Sequence, residues 1–78
     1  MKGTFEEVVD FLKHYAEFEA DQVSRESQLR ADLGLDSIDL MALIDDSESE
    51  FDIIIEDNEI ASINTIGDIV DMIEKKNN

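Results

Sequence analysis

The chain has 78 residues, carries 6 Lys or Arg against 21 Asp or Glu for a formal net charge of −15 at pH 7, and contains neither cysteine nor proline. A chain this short forms one domain, residues 1–78, and buries only about 60% of the surface its unfolded form exposes, which leaves a thin core and no room for a deep catalytic cleft. The charge argues against nucleic acid as a partner, the lack of cysteine removes disulfides and thiolate metal sites, and no stretch approaches the ~20 apolar residues of a membrane span.

The opening residues Met1-Lys2-Gly3-Thr4-Phe5-Glu6 lack the basic-then-apolar pattern of a signal peptide, so a cytoplasmic protein is the expectation. Residues 4–16 are predicted as the first helix. Thr4-x-x-Glu7 has the form of a capping box. Phe5, Val8, Val9, Leu12, Tyr15 and Ala16 recur at the spacing of one helix face. Lys13 and His14 fall near the C-terminal end, where positive charge is favoured. His14 reads as an exposed end-of-helix residue; a single histidine builds no metal site, and no Ser/Cys–Asp set is available for it to serve.

Residues 17–31 read as a long connection, with Phe18, Ala20, Val23 and Leu29 scattered among polar residues and Ser24-x-x-Ser27 suggesting a turn. Val23 and Leu29 are expected to pin it to the core. From Ala31 to Glu74 there is no Lys or Arg, against 14 acids. Such a surface suits basic protein partners and speeds their encounter. It also repels itself, so added salt or divalent cations should raise the melting temperature.

The stretch Asp32-Leu33-Gly34-Leu35-Asp36-Ser37-Ile38-Asp39-Leu40 leads into a second helix, residues 37–51. Gly34 permits a positive-φ turn, and Asp36 or Ser37 can cap the helix. Taken alone, these residues need be no more than a cap. Ser37 would still stand exposed in the first helical turn, where the partial positive charge favours a phosphate. Leu40, Leu43, Ile44, Ser47 and Phe51 form the inward face, and Ser47 can bond back to the carbonyl of Leu43. Ile38, Met41 and Asp45 lie on another stripe beside the serine, and Asp39, Asp46, Glu48 and Glu50 complete an acidic flank.

Residues 52–64 are predicted as irregular, with Ile53-Ile54-Ile55 extended and Asp57-x-x-Ile60 starting one helical turn; Ile60 and Ile63 should point inward. An EF-hand loop is excluded because the D-x-[DN]-x-[DN]-G pattern and its turn glycine are missing near Asp45–Asp57, and no metal site is expected. Residues 65–76 form the last helix, capped by Thr65, with Ile66, Ile69, Val70 and Ile73 on one face, Asp68 early and Lys75 and Lys76 at the end. Asn77 and Asn78 should fray. Helices with one apolar face each must pack together, giving an all-α, four-helix bundle with three long helices and one short one behind a long first loop.

The residues Asp32-Leu33-Gly34-x-Asp36-Ser37-x-Asp39, in a chain of this size and acidity, resemble the attachment motif of the acyl carrier proteins. The resemblance implies that Ser37, beside Asp36, carries a 4′-phosphopantetheine arm, placed there by a phosphopantetheinyl transferase through attack of the serine oxygen on the pyrophosphate of coenzyme A. It fits the long first loop, where leucine at position 29 takes the place of the large apolar residue common in the family. It implies that the second helix meets partner enzymes through basic docking patches, with Asp36, Asp39 and Glu48 facing Arg or Lys and with Ile38 and Met41 adding apolar contact. An interior lined by Leu43, Ile44, Phe51, Ile55, Ile60, Ile63, Ile69 and Ile73 would hold the acyl chain.

The chain departs from the fatty-acid-synthesis type at Ala42, commonly glutamate there, and at Asp45, Asp46 and Ser47, commonly apolar. Glu56 also stands where the family often has proline. The attachment chemistry is untouched by these changes. The expected protein is a monomeric carrier, not an enzyme, because no base is spaced to activate Ser37. It would serve fatty-acid synthesis, or carry a D-alanyl, aminoacyl or polyketide cargo on the same arm. An unmodified acidic interaction module is the reading from outside this class.

Overall fold

The computed structural model describes residues 3–77; the expected fraying of Asn78 lies outside them. The order is α1 (Thr4–Leu12), a 3₁₀ turn (Ala20–Gln22), α2 (Ser37–Phe51), α3 (Asp57–Ile60) and α4 (Ile66–Lys76). The expected three long helices and one short helix are present, and no strand is formed among the described residues. Val8 and Leu12 of α1, Leu43 and Ile44 of α2, and Ile66, Ile69, Val70 and Ile73 of α4 meet in a single core, with α1 packed along α4. Each fully buried aliphatic side chain contributes about 1.5–3 kcal/mol relative to exposure, and the amphipathic spacing places those residues inward.

α1 begins at Thr4 as expected but differs from expectation in its cap and in its end. Its N-cap is Gly3 rather than Thr4, and the N–H of Gly3 donates to the carboxylate of Glu6 at 3.1 Å. The helix also stops at Leu12, not residue 16. Lys13–Ala16 continue as tight turns in which the N–H of His14 reaches the carbonyl of Phe11 and that of Tyr15 reaches Leu12. These turns aim the Tyr15 hydroxyl at α2, where it donates to the carboxylate of Asp46. A tertiary contact therefore ends the helix while its apolar stripe still runs on. His14 is exposed, as expected, with its ring edge-on to Phe11.

The long connection before α2 is more ordered than its composition suggests. Leu29 is buried, Val23 packs against the core, and the Ser24–Ser27 turn forms. Beyond that, the loop is laced to the start of α4. Leu29 N–H bonds the carbonyl of Asn64, Ile66 N–H that of Ser27, and Gly67 N–H that of Arg25 at 2.8 Å. Gln28 and Thr65 form an isolated antiparallel bridge. The close approach requires a glycine: a Cβ on Gly67 would lie 2.9 Å from the Arg25 carbonyl oxygen. Arg25 closes the seam with an ion pair to Asp71 at 2.6 Å.

The connection after α2 is held differently. α2 ends on Asp52 in the left-handed region, φ 55°. Ile53, Ile54 and Ile55 then alternate as an extended segment should: Ile53 and Ile55 are buried and Ile54 is 73% exposed. The carboxylate of Glu48 accepts the N–H of Ile55 at 2.8 Å. α3 is a single turn that reaches α4 through the Lys76–Glu59 ion pair at 2.8 Å, both side chains half-buried. The lysine, helped by the N–H of Glu56, holds the Glu59 carboxyl below its usual range. Two of the α2 substitutions also have internal partners. Asp46 receives Tyr15, and Ser47, buried, donates to the Leu43 carbonyl at 2.7 Å as expected. Asp45 stays exposed.

Candidate functional site

The start of α2 is built by two devices. Gly34 takes φ 74°, which turns the chain back after the 28–33 segment. Leu29 and Leu35, both buried, anchor that turn on either side, and the N–H groups of Gly34 and Leu35 bond the carbonyls of Arg30 and Leu29. Asp36 is the N-cap: its carboxylate accepts Asp39 N–H at 2.8 Å, while the Asp39 carboxylate accepts Asp36 N–H at 3.2 Å. This reciprocal box leaves Ser37 as the first helical residue, exposed, with its side chain free of the capping duty.

Ser37 faces a cation that sequence reasoning did not assign to the site. An Arg30 guanidinium nitrogen donates to Ser37 Oγ at 3.0 Å. Arg30 cannot serve as a base, because a guanidinium keeps its proton throughout the working pH range. The only sequence signal was position: Arg30 is the last cation before the cation-free run from Ala31 to Glu74. Beside this pair opens a cleft of about 300 Å³, lined by Arg30, Ser37, Leu40, Met41, Ile44, Ile60, Ala61, Ile63 and Asn64. Behind it lies an apolar cavity of only about 10 Å³, between Leu43, Ile44, Ser47, Ile55, Ile63, Ile69, Met72 and Ile73. Ile44 and Ile63 line both spaces, so they form the partition between cleft and interior.

Six of the eight residues expected around an interior pocket, Leu43, Ile44, Ile55, Ile63, Ile69 and Ile73, line that cavity. Ile60 lines the cleft instead. Phe51 is the last residue of α2, about 21 Å from Ser37 along the 15-residue helix, and its ring packs edge-on to Phe11 at 6.2 Å rather than lining the cavity. Sequence reasoning missed Ser47 and Met72 as lining residues. Of the expected partner-facing residues, Asp36 is exposed, Ile38 is 79% exposed and Met41 is 55% exposed. Asp39 and Glu48 are half-buried, and each already accepts a backbone N–H. Among the described residues no cluster of His, Asp or Glu is arranged to hold a metal ion, and no helix is long and apolar enough to cross a membrane.

An exposed serine at a helix start, touched by a guanidinium and opening on an apolar cleft, is suited to carrying a phosphate-linked group. Comparison with known proteins agrees with this chemistry. The family described as the phosphopantetheine attachment site matches residues 6–73. The chain is 42% identical over 72 residues to an acyl carrier protein of Thermotoga maritima, covering 92% of this chain and 89% of that one. It is 39% identical over 75 residues to an acyl carrier protein of Porphyromonas gingivalis, covering 96% of each. The solved acyl carrier protein of Enterococcus faecalis superposes with a TM-score of 0.82 at 32% identity, over 94% of this chain and 92% of that one.

Proposed function

The chain belongs to the acyl carrier protein family, and from that premise we propose that Ser37 is its point of attachment for 4′-phosphopantetheine. The function is that of a carrier of acyl groups on this arm. The single observation that carries the assignment to Ser37 is its setting: an exposed hydroxyl on the first residue of a 15-residue helix, 3.0 Å from a guanidinium. The residues fit the group. The helix start and Arg30 suit its phosphate, and the cleft along Leu40, Ile44 and Ile60 suits the extended chain that follows. When attached, the arm supplies the thiol that this cysteine-free sequence lacks.

Each residue has a definable part. Ser37 presents the hydroxyl. Asp36 and Asp39 fix the helix start by satisfying each other's N–H groups. No base is hydrogen-bonded to the Ser37 hydroxyl: Arg30 only donates to it, and the Asp36 and Asp39 carboxylates are engaged with each other's N–H groups, so the base belongs to the transferase. The chain itself therefore acts as a carrier and not as a catalyst. Ile44 and Ile63 separate the cleft from the interior, and their displacement would let an aliphatic chain replace the collapsed cavity with apolar contact on all sides. Tethering raises the effective concentration of the cargo at each successive enzyme.

The partners in this reading are a phosphopantetheinyl transferase and fatty-acid-synthesis-type enzymes with basic docking patches, met in the cytoplasm by a single domain spanning residues 1–78. Ile38 and Met41 provide the apolar centre of that contact, and Asp36 and Asp45 its exposed acids. The test is the intact mass after incubation with coenzyme A, Mg²⁺ and a broad-specificity transferase. Wild type should gain one phosphopantetheine, and Ser37→Ala, still folded, should gain none. Equal gain by both proteins would move the site elsewhere; no gain by wild type would remove the reading.

A further inference from the structure

We propose that Arg30 is the residue that pairs with the phosphodiester once Ser37 is modified, so that the contact now made to the serine hydroxyl becomes a charge-assisted fork to the phosphate oxygens. This rests on Ser37 being the attachment point. The first observation is an anomaly of pairing. In a chain with 21 carboxylates and 6 cationic side chains, a guanidinium would be expected to find an acid. Arg25 pairs with Asp71 and Lys76 with Glu59, yet among the described residues Arg30 makes no ion pair and donates to the neutral Ser37 oxygen at 3.0 Å. A guanidinium has five N–H donors in a planar fork. This fork is left unpaired by any carboxylate, beside the one atom that gains an anion.

The second observation is that Arg30 is held in place from its backbone. Its carbonyl accepts Gly34 N–H at 3.0 Å, and buried Leu29 and Leu35 fix the turn before and after it. The positive φ of Gly34 folds residue 37 back beneath residue 30. The side chain therefore has little main-chain freedom to lose on forming the pair. The third is electrostatic need. Asp32 and Asp36 precede Ser37 and Asp39 follows it in the first turn of α2, so a phosphodiester adds a further negative charge to an acidic stretch. Their carboxylates already accept the N–H groups of Gln28, Asp39 and Asp36, so they cannot swing far away. Arg30 is the cation in contact with this serine, and a guanidinium matches two phosphate oxygens where an ammonium acts as a point charge.

The experiment compares wild type, Arg30→Gln and Arg30→Lys, each before and after loading with coenzyme A and a transferase, with loading verified by intact mass. Two readouts follow: the ¹H–¹⁵N signals of the Arg30 side chain, and the change in Tm on loading. On loading wild type, the Arg30 side-chain signals should shift and exchange with water more slowly. The change in Tm should be less favourable in Arg30→Gln by a few degrees, with Arg30→Lys in between, and the gap should shrink in high salt. Because Arg30 is exposed, the unloaded variants should keep the fold. Full loading with unmoved Arg30 signals and the same Tm change in all three proteins overturns this proposal alone. Absence of any mass gain on wild type overturns the attachment reading, and this inference with it.

Discussion

The two connections that flank α2 do opposite things with their backbones. The one before it, residues 13–36, looks like the weaker: long, polar and without a regular element beyond one 3₁₀ turn. Yet its main chain is bonded at Arg25, Ser27 and Leu29 to Gly67, Ile66 and Asn64, the residues that lead into and open α4. The one after it, residues 52–63, contains a helix and three consecutive isoleucines, but among the described residues its hold on the rest of the molecule is mainly through side chains: Ile53, Ile55 and Ile63 in the core, the Glu48 carboxylate on Ile55 N–H, and the Lys76–Glu59 pair. Order is set by where backbone hydrogen bonds find partners, not by secondary-structure content. The first connection is a fixed wall that carries Arg30 to Ser37. The second is the wall that can yield, and it bears Ile60 and Ile63 beside the cleft.

The sharpest way to break this comparison is to empty the anchor of the fixed wall. Leu29→Ala should cost about 2–5 kcal/mol, since Leu29 is 1% exposed and wedged between loop and bundle. A chemical denaturation giving a loss below that of an exposed substitution would mean the loop is not part of the core. Next is Gly67→Ala. Alanine favours a helix by about 1 kcal/mol over glycine, but its methyl would press on the Arg25 carbonyl oxygen. If the seam is rigid, the net effect is a loss of about 1–3 kcal/mol; a gain in Tm would show that the loop can move aside.

On the yielding side the expected effects are smaller, and one has the opposite sign. Asp52→Gly should stabilise by about 0.5–1 kcal/mol, because Asp52 holds a left-handed conformation that glycine adopts freely, and because it removes a negative charge from a helix C-terminus. Lys76→Ala should change global stability by less than about 1 kcal/mol while visibly speeding amide exchange in α3. A pH experiment separates the box at α4 from these. Burial pushes the Asp68 carboxyl up, but hydrogen bonds from Asn64 N–H, Thr65 N–H and the Thr65 side chain together hold it below its usual range. A depressed carboxyl stabilises the fold above its unfolded pKa of about 3.9 and loses that contribution as pH falls through the lower folded value. Asp68→Asn should therefore flatten the acid limb of the stability profile. Moderate salt should raise Tm by easing self-repulsion, and a flat response would count against the charge argument.

α2 was legible to both ends because all its determinants are local: Gly34 for the turn, the Asp36-x-x-Asp39 box, and the Leu43, Ile44 and Ser47 stripe. The end of α1 was not. Tight turns and an α-helix present nearly the same face to the core, so Tyr15 and Ala16 kept the stripe going, and the contacts of the Tyr15 hydroxyl with Asp46 and the Ala42 carbonyl on α2 leave no period in the sequence. Arg30 was hidden for a similar reason, since its partnership with Ser37 is closed by the geometry at Gly34 and leaves no period in the sequence. Glu48 sat on an acidic flank that reads as surface, and the fold uses it to satisfy the N–H of Ile55. Ser37 stood out as the candidate because it combines a short motif with size and charge.

Native-state amide hydrogen exchange tests the division between the two walls most directly. The amides of Leu29, Ile66 and Gly67 should exchange as slowly as those of Ile69 and Ile73 in the core of α4, requiring global unfolding. The amides of Ile55, Ile60 and Ile63 should exchange at least about tenfold faster, through local opening. Equal protection in both connections, or a loop before α2 that exchanges first, would contradict the account.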